Sequence, residues 1–333
     1  MYESIEKLIN IDYNNRSIDR MYEAARKLTD KPIIEHIADE ICAIPKDRCV
    51  FFTTGSVTRT WVTPEIGETD GPLGTAVLAK RICEIMSAFP VIFTEESLVE
   101  PISKVVQAAG LSVVTVEQAR AAREGAAMGK TSVACVLPFT EDDSKAPGEA
   151  RNLISQFDPA MVISIEKAGF NEAGIYHNMR GHDYSKGRCR ADYIVKEAFK
   201  ANVVTIGIGD GGNEIGMGTI IDTVRTYVKY GAQCQCGCGK GMAACTSTDI
   251  LLTASVSNWG CYAICAALAL KCDNPKWVHN SQDERMLLDV AVQAGMVDGA
   301  TGKAERTVDG FSAEANGSIV DLMKYLVIKK LGY

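Results

Sequence analysis

An α/β fold, with a mainly parallel sheet flanked by helices on both faces and helical additions at the N- and C-termini, is what this sequence predicts. Three observations lead there. From residue 49 onward, short apolar runs rich in β-branched and aromatic residues alternate with amphipathic stretches, as parallel strands joined by crossover helices require. The chain ends instead carry apolar residues at three- and four-residue spacing, the mark of helices packed by one face. No internal repeat or low-complexity linker interrupts the chain. A helical segment over 1–47 is therefore expected before one α/β domain over 48–333, in which only the 138–147 loop offers a hinge between lobes.

Taken in order, the first helices are expected over 5–9, 18–28 and 33–44, without evident chemistry. The strands that follow are CVFFTT, PVIFT, SVVTV, SVACVLP, AMVISIE, VVTIGIG and ILLTASV. Ligands of open parallel sheets bind at the carboxyl ends of strands, so the residues just past each run are the ones to examine. After the first strand, the 55–74 loop carries Glu68, Asp70 and Pro72 ahead of a helix over 74–86. Asp70 there suits a metal ligand and, equally, a helix cap.

AMVISIE delivers Glu166 to the same edge, followed by a polar loop with Tyr176, His177, Asn178, Arg180 and Asp183. Arg180 is suited to gripping a substrate carboxylate or phosphate bidentately, with a surface ion pair as the alternative. VVTIGIG runs into Asp210, Gly211, Gly212, Asn213 and Glu214, two carboxylates and an amide on a glycine-rich turn. Gly207, Gly209 and Gly212 formally fit a dinucleotide fingerprint, but Asp210 stands where a pyrophosphate would lie. No lysine makes the turn a Walker-type phosphate loop. A hard cation on Asp210 and Glu214 fits the residue types better, while a capping turn is the plainer alternative. ILLTASV brings Ser257 and Asn258 to the same edge before an Ala-rich helix.

Cys234, Cys236, Cys238 and Cys245 fall within twelve residues, interleaved with glycines. Zinc or iron–sulfur binding and incidental thiols on a glycine loop both remain open. Asp298-Gly299 and Asp309-Gly310 read as turns, the second able to fold back over the site. A last helix is expected over 312–330.

Composition narrows the partners. At 333 residues, 47% hydrophobic and 23% charged, the chain is that of an ordinary globular protein. A net charge of −7 without a long basic run argues against nucleic acid. The 250–270 stretch, broken by Thr253, Ser255, Ser257, Asn258 and Gly260, reads as a strand and a buried helix, so no membrane partner is expected. The charged N-terminus shows no secretory signal, and twelve cysteines then imply reduced thiols and a cytoplasmic setting. A small anionic substrate is the expected partner, and assembly into a homo-oligomer stays open.

Several of these segments together resemble the family formed by the C-terminal region of D-glutamate cyclases and its free-standing microbial relatives. ETDGPLGTA at 68–76, SIEKAG at 164–169, YHNMRGHD from Tyr176, GIGDGGNEIGMG from Gly207, CGCGKGMAAC from Cys236, SNWGCYA from Ser257 and VDGF from Val308 carry the resemblance. Leu73 stands where the family has proline, and Lys167-Ala168 where it has Arg-Pro. The mitochondrial cyclase is similar to a fusion with an additional hydro-lyase-like N-terminal region, where this chain has short helices.

The resemblance implies a lyase that dehydrates D-glutamate intramolecularly to 5-oxo-D-proline. Other members of the family resemble manganese-dependent phosphatases, and a binding protein without turnover is the reading from a third class. A divalent ion, Mn²⁺ or Mg²⁺, is expected on Asp70, Glu166, Asp210 and Glu214. Arg180, Asn178, Gly211, Gly212, Asn213, Ser257 and Asn258 are expected to bind substrate. Arg180 would hold its α-carboxylate, with His177 or Glu214 as the base.

Overall fold

The computed structural model describes residues 1–125 and 128–333. Three helices come first: α1 (Tyr2–Ile9), α2 (Ile18–Arg26) and α3 (Ile33–Ala43). Strands and helices then alternate as β1 (Cys49–Thr53), α4 (Pro72–Met86), β2 (Phe89–Thr94), α5 (Val99–Ala108), β3 (Ser112–Val113), α6 (Val116–Glu124), β4 (Val133–Pro138), α7 (Ala146–Phe157), β5 (Met161–Ile165), α8 (Asp192–Lys200), β6 (Val204–Gly209), α9 (Ile221–Tyr227), β7 (Ile250–Thr253) and α10 (Ser257–Lys271). The chain ends with α11 (Ser281–Gln293), a small hairpin of β8 (Thr307–Val308) and β9 (Phe311–Ser312), and α12 (Ala313–Leu331).

Among the described residues, β1 to β7 form one seven-stranded sheet in the order β3-β4-β2-β1-β5-β6-β7, with every pairing parallel. Strand periodicity explains its two covered faces. Val50 and Phe52 of β1 join one hydrophobic cluster, while Cys49 and Phe51 join another. The first cluster takes in α1, α2, α3, α4, α10 and α12, so the terminal helices share the core of the sheet. The second takes in α6, α7 and α8. Residues 138–147, the expected hinge, connect β4 to α7.

SVVTV is the run that departs most from expectation. Only Ser112–Val113 pairs, as an edge strand. Thr115 instead makes a capping box with Gln118: Thr115 Oγ1 accepts the Gln118 amide at 3.3 Å and Gln118 Oε1 accepts the Thr115 amide at 2.9 Å. That exchange commits the end of the run to a helix start. The 250–270 stretch is a strand followed by a helix whose residues Ser257 to Ala269 are all buried. Among the described residues no helix is long and apolar enough to cross a membrane.

The strand order reverses between β1 and β5, because β2 lies on one side of β1 and β5 on the other. Connections leaving a sheet in opposite directions open a crevice at the carboxyl edge. The chain leaving β1, β5 and β6 lines it.

Candidate active site

The chain leaving three strands delivers three carboxylates to that crevice, Glu166 and Asp210 directly after β5 and β6 and Asp70 in the turn just ahead of α4. Ligand atoms of Asp70, Glu166 and Asp210 all lie within 4.8 Å of one another. Glu166 follows β5 directly and takes a left-handed backbone, φ 52°, a costly conformation for a non-glycine residue that turns the chain sharply. Its Oε2 accepts the Ser257 hydroxyl at 2.6 Å.

Asp70 is a cap, though of a different helix from the one that follows it. Its Oδ1 and Oδ2 accept the amides of Asn258 (2.8 Å) and Ser257 (2.9 Å), which open α10. Asn258 Oδ1 in turn accepts the amides of Gly71 (3.0 Å) and Gly74 (2.7 Å), at the start of α4. Each helix start is thus closed by a side chain from the other. Oδ1 also accepts the Gly71 amide at 3.0 Å, and the second lone pair of Oδ2 leaves Asp70 able to serve the helix and still face a cation.

Asp210 ends β6 on the glycine turn. Gly212 needs its φ of +97°, and a Cβ there would meet Val224 at 2.6 Å. Glu214 lies outside the carboxylate group: its Oε1 and Oε2 accept the amides of Gly211 (2.9 Å) and Gly212 (2.8 Å), strapping the turn shut. Those two amides consequently point at Glu214 rather than at the cavity.

Arg16, in the connector between α1 and α2, bridges Asp210 and Asp309 through one nitrogen. Tyr13 anchors this connector edge-on against Trp259 and Phe311, at centroid distances of 6.2 and 5.5 Å. Asp309 arrives on the two-residue turn of the β8–β9 hairpin, held by the Gly310 amide donating to Asp298 Oδ2 at 2.8 Å. The N-terminal helices therefore do bring chemistry to the site, contrary to expectation.

Burial raises the pKa of Asp70, Glu166 and Asp210 well above the carboxylate range. Neighbouring carboxylates push the same way; on Asp210 the Arg16 charge opposes. Glu68 is pushed up to about 7, chiefly by burial and against the pull of Arg188. Crowded carboxylates of this kind hold protons or share a cation.

Above them opens a cavity of about 490 Å³ lined by Glu68, Glu166, Asp210 and Asp309, and by four arginines: Arg16, Arg59, Arg180 and Arg188. Asn178 and Asn213 also line it; Asp70, Glu214, Gly211, Gly212, Ser257, Asn258 and His177 do not. Arg180 is exposed at its rim, and no side-chain partner is found for it among the described residues. Arg188 is buried beneath it. Its Nε and Nη2 donate to the carbonyls of Tyr184 and Val57, both at 2.7 Å, and its guanidinium stacks 4.2 Å from the Tyr184 ring centroid. Its Nη1 has no partner among the described residues. Asn213 Oδ1 is likewise buried without a partner among the described residues, although its Nδ2 donates to the His177 carbonyl at 2.9 Å and so fixes the amide.

His177 belongs to a second group, with Cys234, Cys236 and Cys238, whose ligand atoms also lie within 4.8 Å of one another. Cys245 lies outside it. Arg16 and Arg188 were not singled out by sequence; the one signal available for Arg188 was its place in the polar loop after Glu166.

The profile described as D-glutamate cyclase-like, C-terminal, matches residues 5–324. The mitochondrial D-glutamate cyclase of Homo sapiens is 27% identical over 267 residues, 79% of this chain and 38% of that protein. This chain thus spans well under half of that relative. Among solved structures, gox2181 covers 87% of this chain and 91% of its own, at 11% identity and a TM-score of 0.27, too slight a likeness to add to the fold assignment. With a profile matched over nearly its whole length, the chain belongs to the D-glutamate cyclase-like, C-terminal family.

Proposed function

We propose that this chain is a lyase that cyclises D-glutamate to 5-oxo-D-proline with a hard divalent cation, Mn²⁺ or Mg²⁺. One juxtaposition carries the reading. Beside a carboxylate group fit for a cation, the cavity offers an unpartnered guanidinium N–H on Arg188 and an unpartnered amide oxygen on Asn213. Glutamate presents a γ-carboxylate, an α-carboxylate and an ammonium, one for each.

Asp70, Glu166 and Asp210 would hold the cation, an all-oxygen set suited to a hard ion. When bound there, it withdraws charge from the γ-carboxylate and makes its carbon electrophilic. Arg188 Nη1 takes the α-carboxylate, and Arg180 closes over it from the rim. Asn213 Oδ1 accepts from the ammonium and aims the nitrogen. Holding both ends of a flexible substrate folded is itself a large part of the rate.

Ring closure forms a bond from the α-nitrogen to the γ-carboxylate carbon, Cδ, and breaks one of the Cδ–O bonds. Two protons leave the nitrogen and depart with the expelled oxygen as water. Glu68, whose Oε1 accepts the Ser56 amide at 3.0 Å, is the cavity carboxylate outside the cation group and Arg16 pair, and is assigned to carry them. Four arginines in one cavity would also suit a phosphoester, the second reading. Incubating the Mn²⁺- or Mg²⁺-loaded protein with D-glutamate, L-glutamate and phosphoesters separates the two. Chiral chromatography should show 5-oxo-D-proline from D-glutamate; phosphate release without it would overturn the cyclase assignment.

A further inference from the structure

We infer that His177, Cys234, Cys236 and Cys238 form a closed Cys₃His zinc site, separate from the carboxylate group, that pins the loop bearing Asn178 and Arg180. The inference does not rest on the cyclase reading.

The ligand atoms are already gathered. Cys234 Sγ lies 3.4 Å from Cys236 Sγ and 3.3 Å from Cys238 Sγ, and His177 Nε2 lies 3.1 and 4.0 Å from Cys236 and Cys238. With Zn–S and Zn–N bonds of about 2.3 and 2.0 Å, the edges of a ZnS₃N tetrahedron are about 3.5–3.8 Å. Small adjustments would bring the four atoms onto it. Gly237 and Gly239, with φ of 84° and 71°, let the chain curl so that alternate cysteines face one point.

Two outer contacts match a metal better than incidental thiols. His177 Nδ1 lies 3.2 Å from the Ile175 carbonyl, which only accepts. The ring proton therefore belongs on Nδ1, leaving the Nε2 lone pair directed at the sulfurs, the arrangement that fixes a metal-bound imidazole. Asn171 Nδ2 donates to Cys238 Sγ at 3.3 Å, a contact that favours a thiolate. Three thiolates and an imidazole on one point select zinc. An iron–sulfur cluster would recruit Cys245, which instead packs against Phe170 and Tyr176.

The consequence is positional. Asn213 Nδ2 donates to the His177 carbonyl and the Gln235 amide donates to the Gly181 carbonyl at 2.8 Å, so both loops are tied on either side of Asn178 and Arg180. Binding releases thiol protons and involves no redox step.

The test uses the purified full chain. Elemental analysis after dialysis should find about one zinc per chain, retained in Asp210→Asn and bound more than about tenfold more weakly in Cys238→Ser. His177→Cys should keep the metal, since four thiolates also make a closed site. Co²⁺ substitution of the wild-type chain should give thiolate charge-transfer and tetrahedral d–d bands, a result independent of whether any variant folds. Wild-type protein that shows neither bound zinc nor those bands, or zinc held equally well by Cys238→Ser, would overturn the site.

Discussion

The two ligand groups lie off the same family of loops yet are built in opposite ways. Glu166 and Asp210 follow β5 and β6 directly, so the sheet fixes their spacing, and Asp70 is held beside them by the amides that open α10. Cys234, Cys236 and Cys238 come from one short irregular stretch outside helices and strands, and only His177 is distant. The first group is oxygen-only and opens into a cavity; the second is rich in sulfur and lies outside that lining. A rigid frame holding hard ligands beside open space suits substrate chemistry, whereas a closed soft site suits a fastener for loops that have little core of their own. Each contrast can be broken by experiment.

The largest effect is expected at Asp210. Asp210→Asn keeps the shape of the turn and removes the charge, so Mn²⁺ affinity and turnover should each fall more than about 100-fold while the protein stays folded. Calorimetry showing undiminished Mn²⁺ binding would leave Asp210 as no more than the partner of Arg16. Next comes Arg188. A lysine cannot reproduce a fork that makes two structural hydrogen bonds and offers a third nitrogen, so Arg188→Lys should raise KM for the anionic substrate about tenfold, with metal affinity unchanged. Arg180→Lys, at the exposed rim, should cost only a few-fold; the reverse ranking would move the α-carboxylate to Arg180.

Arg16 gives a change of opposite sign. Its guanidinium occupies Asp210 and Asp309, so Arg16→Gln should tighten Mn²⁺ binding several-fold by removing a competing positive charge. Weaker binding in titration calorimetry would mean that Arg16 instead holds the two carboxylates in position.

The smallest expected effect concerns Asp192, which joins the loops near the sulfur group by accepting the Tyr176 hydroxyl at 2.8 Å and the Thr246 hydroxyl. Burial, more than any other influence, raises its pKa. The folded protein thus binds this proton more tightly than the unfolded chain. The stability gained is complete below the ordinary aspartate range and is lost as pH rises through the elevated folded value. Thermal melts should show wild type losing stability relative to Asp192→Asn as pH rises through that window; a difference independent of pH would mean that the carboxyl does not titrate there.

Glu166 and Asp210 were legible in the sequence because a strand announces itself locally, through β-branched runs closed by turn residues, and parallel strands put their carboxyl ends on one edge; Asp70 was legible from the turn that opens the next helix. The cysteine spacing was legible for the same local reason. Its fourth ligand was not, since Cys236 and His177 are 59 positions apart and meet only when two loops fold together. Glu214, four positions from Asp210 in the chain, is turned by the fold toward the amides of Gly211 and Gly212, and it stands outside the group that Asp70, Glu166 and Asp210 form.

Neighbouring residues in the chain were enough to set the α/β frame, the carboxylate-bearing edge and the thiol-rich stretch. Tertiary structure alone decided that Arg16 would reach Asp210 across 194 positions, that Asp70 and Asn258 would cap each other's helices, and that Arg188 would be buried with one nitrogen free. Those outcomes depend on which surfaces pack together. Side-chain partners follow from that packing, because a buried charge or a helix end takes whichever complementary group the fold brings within hydrogen-bond reach.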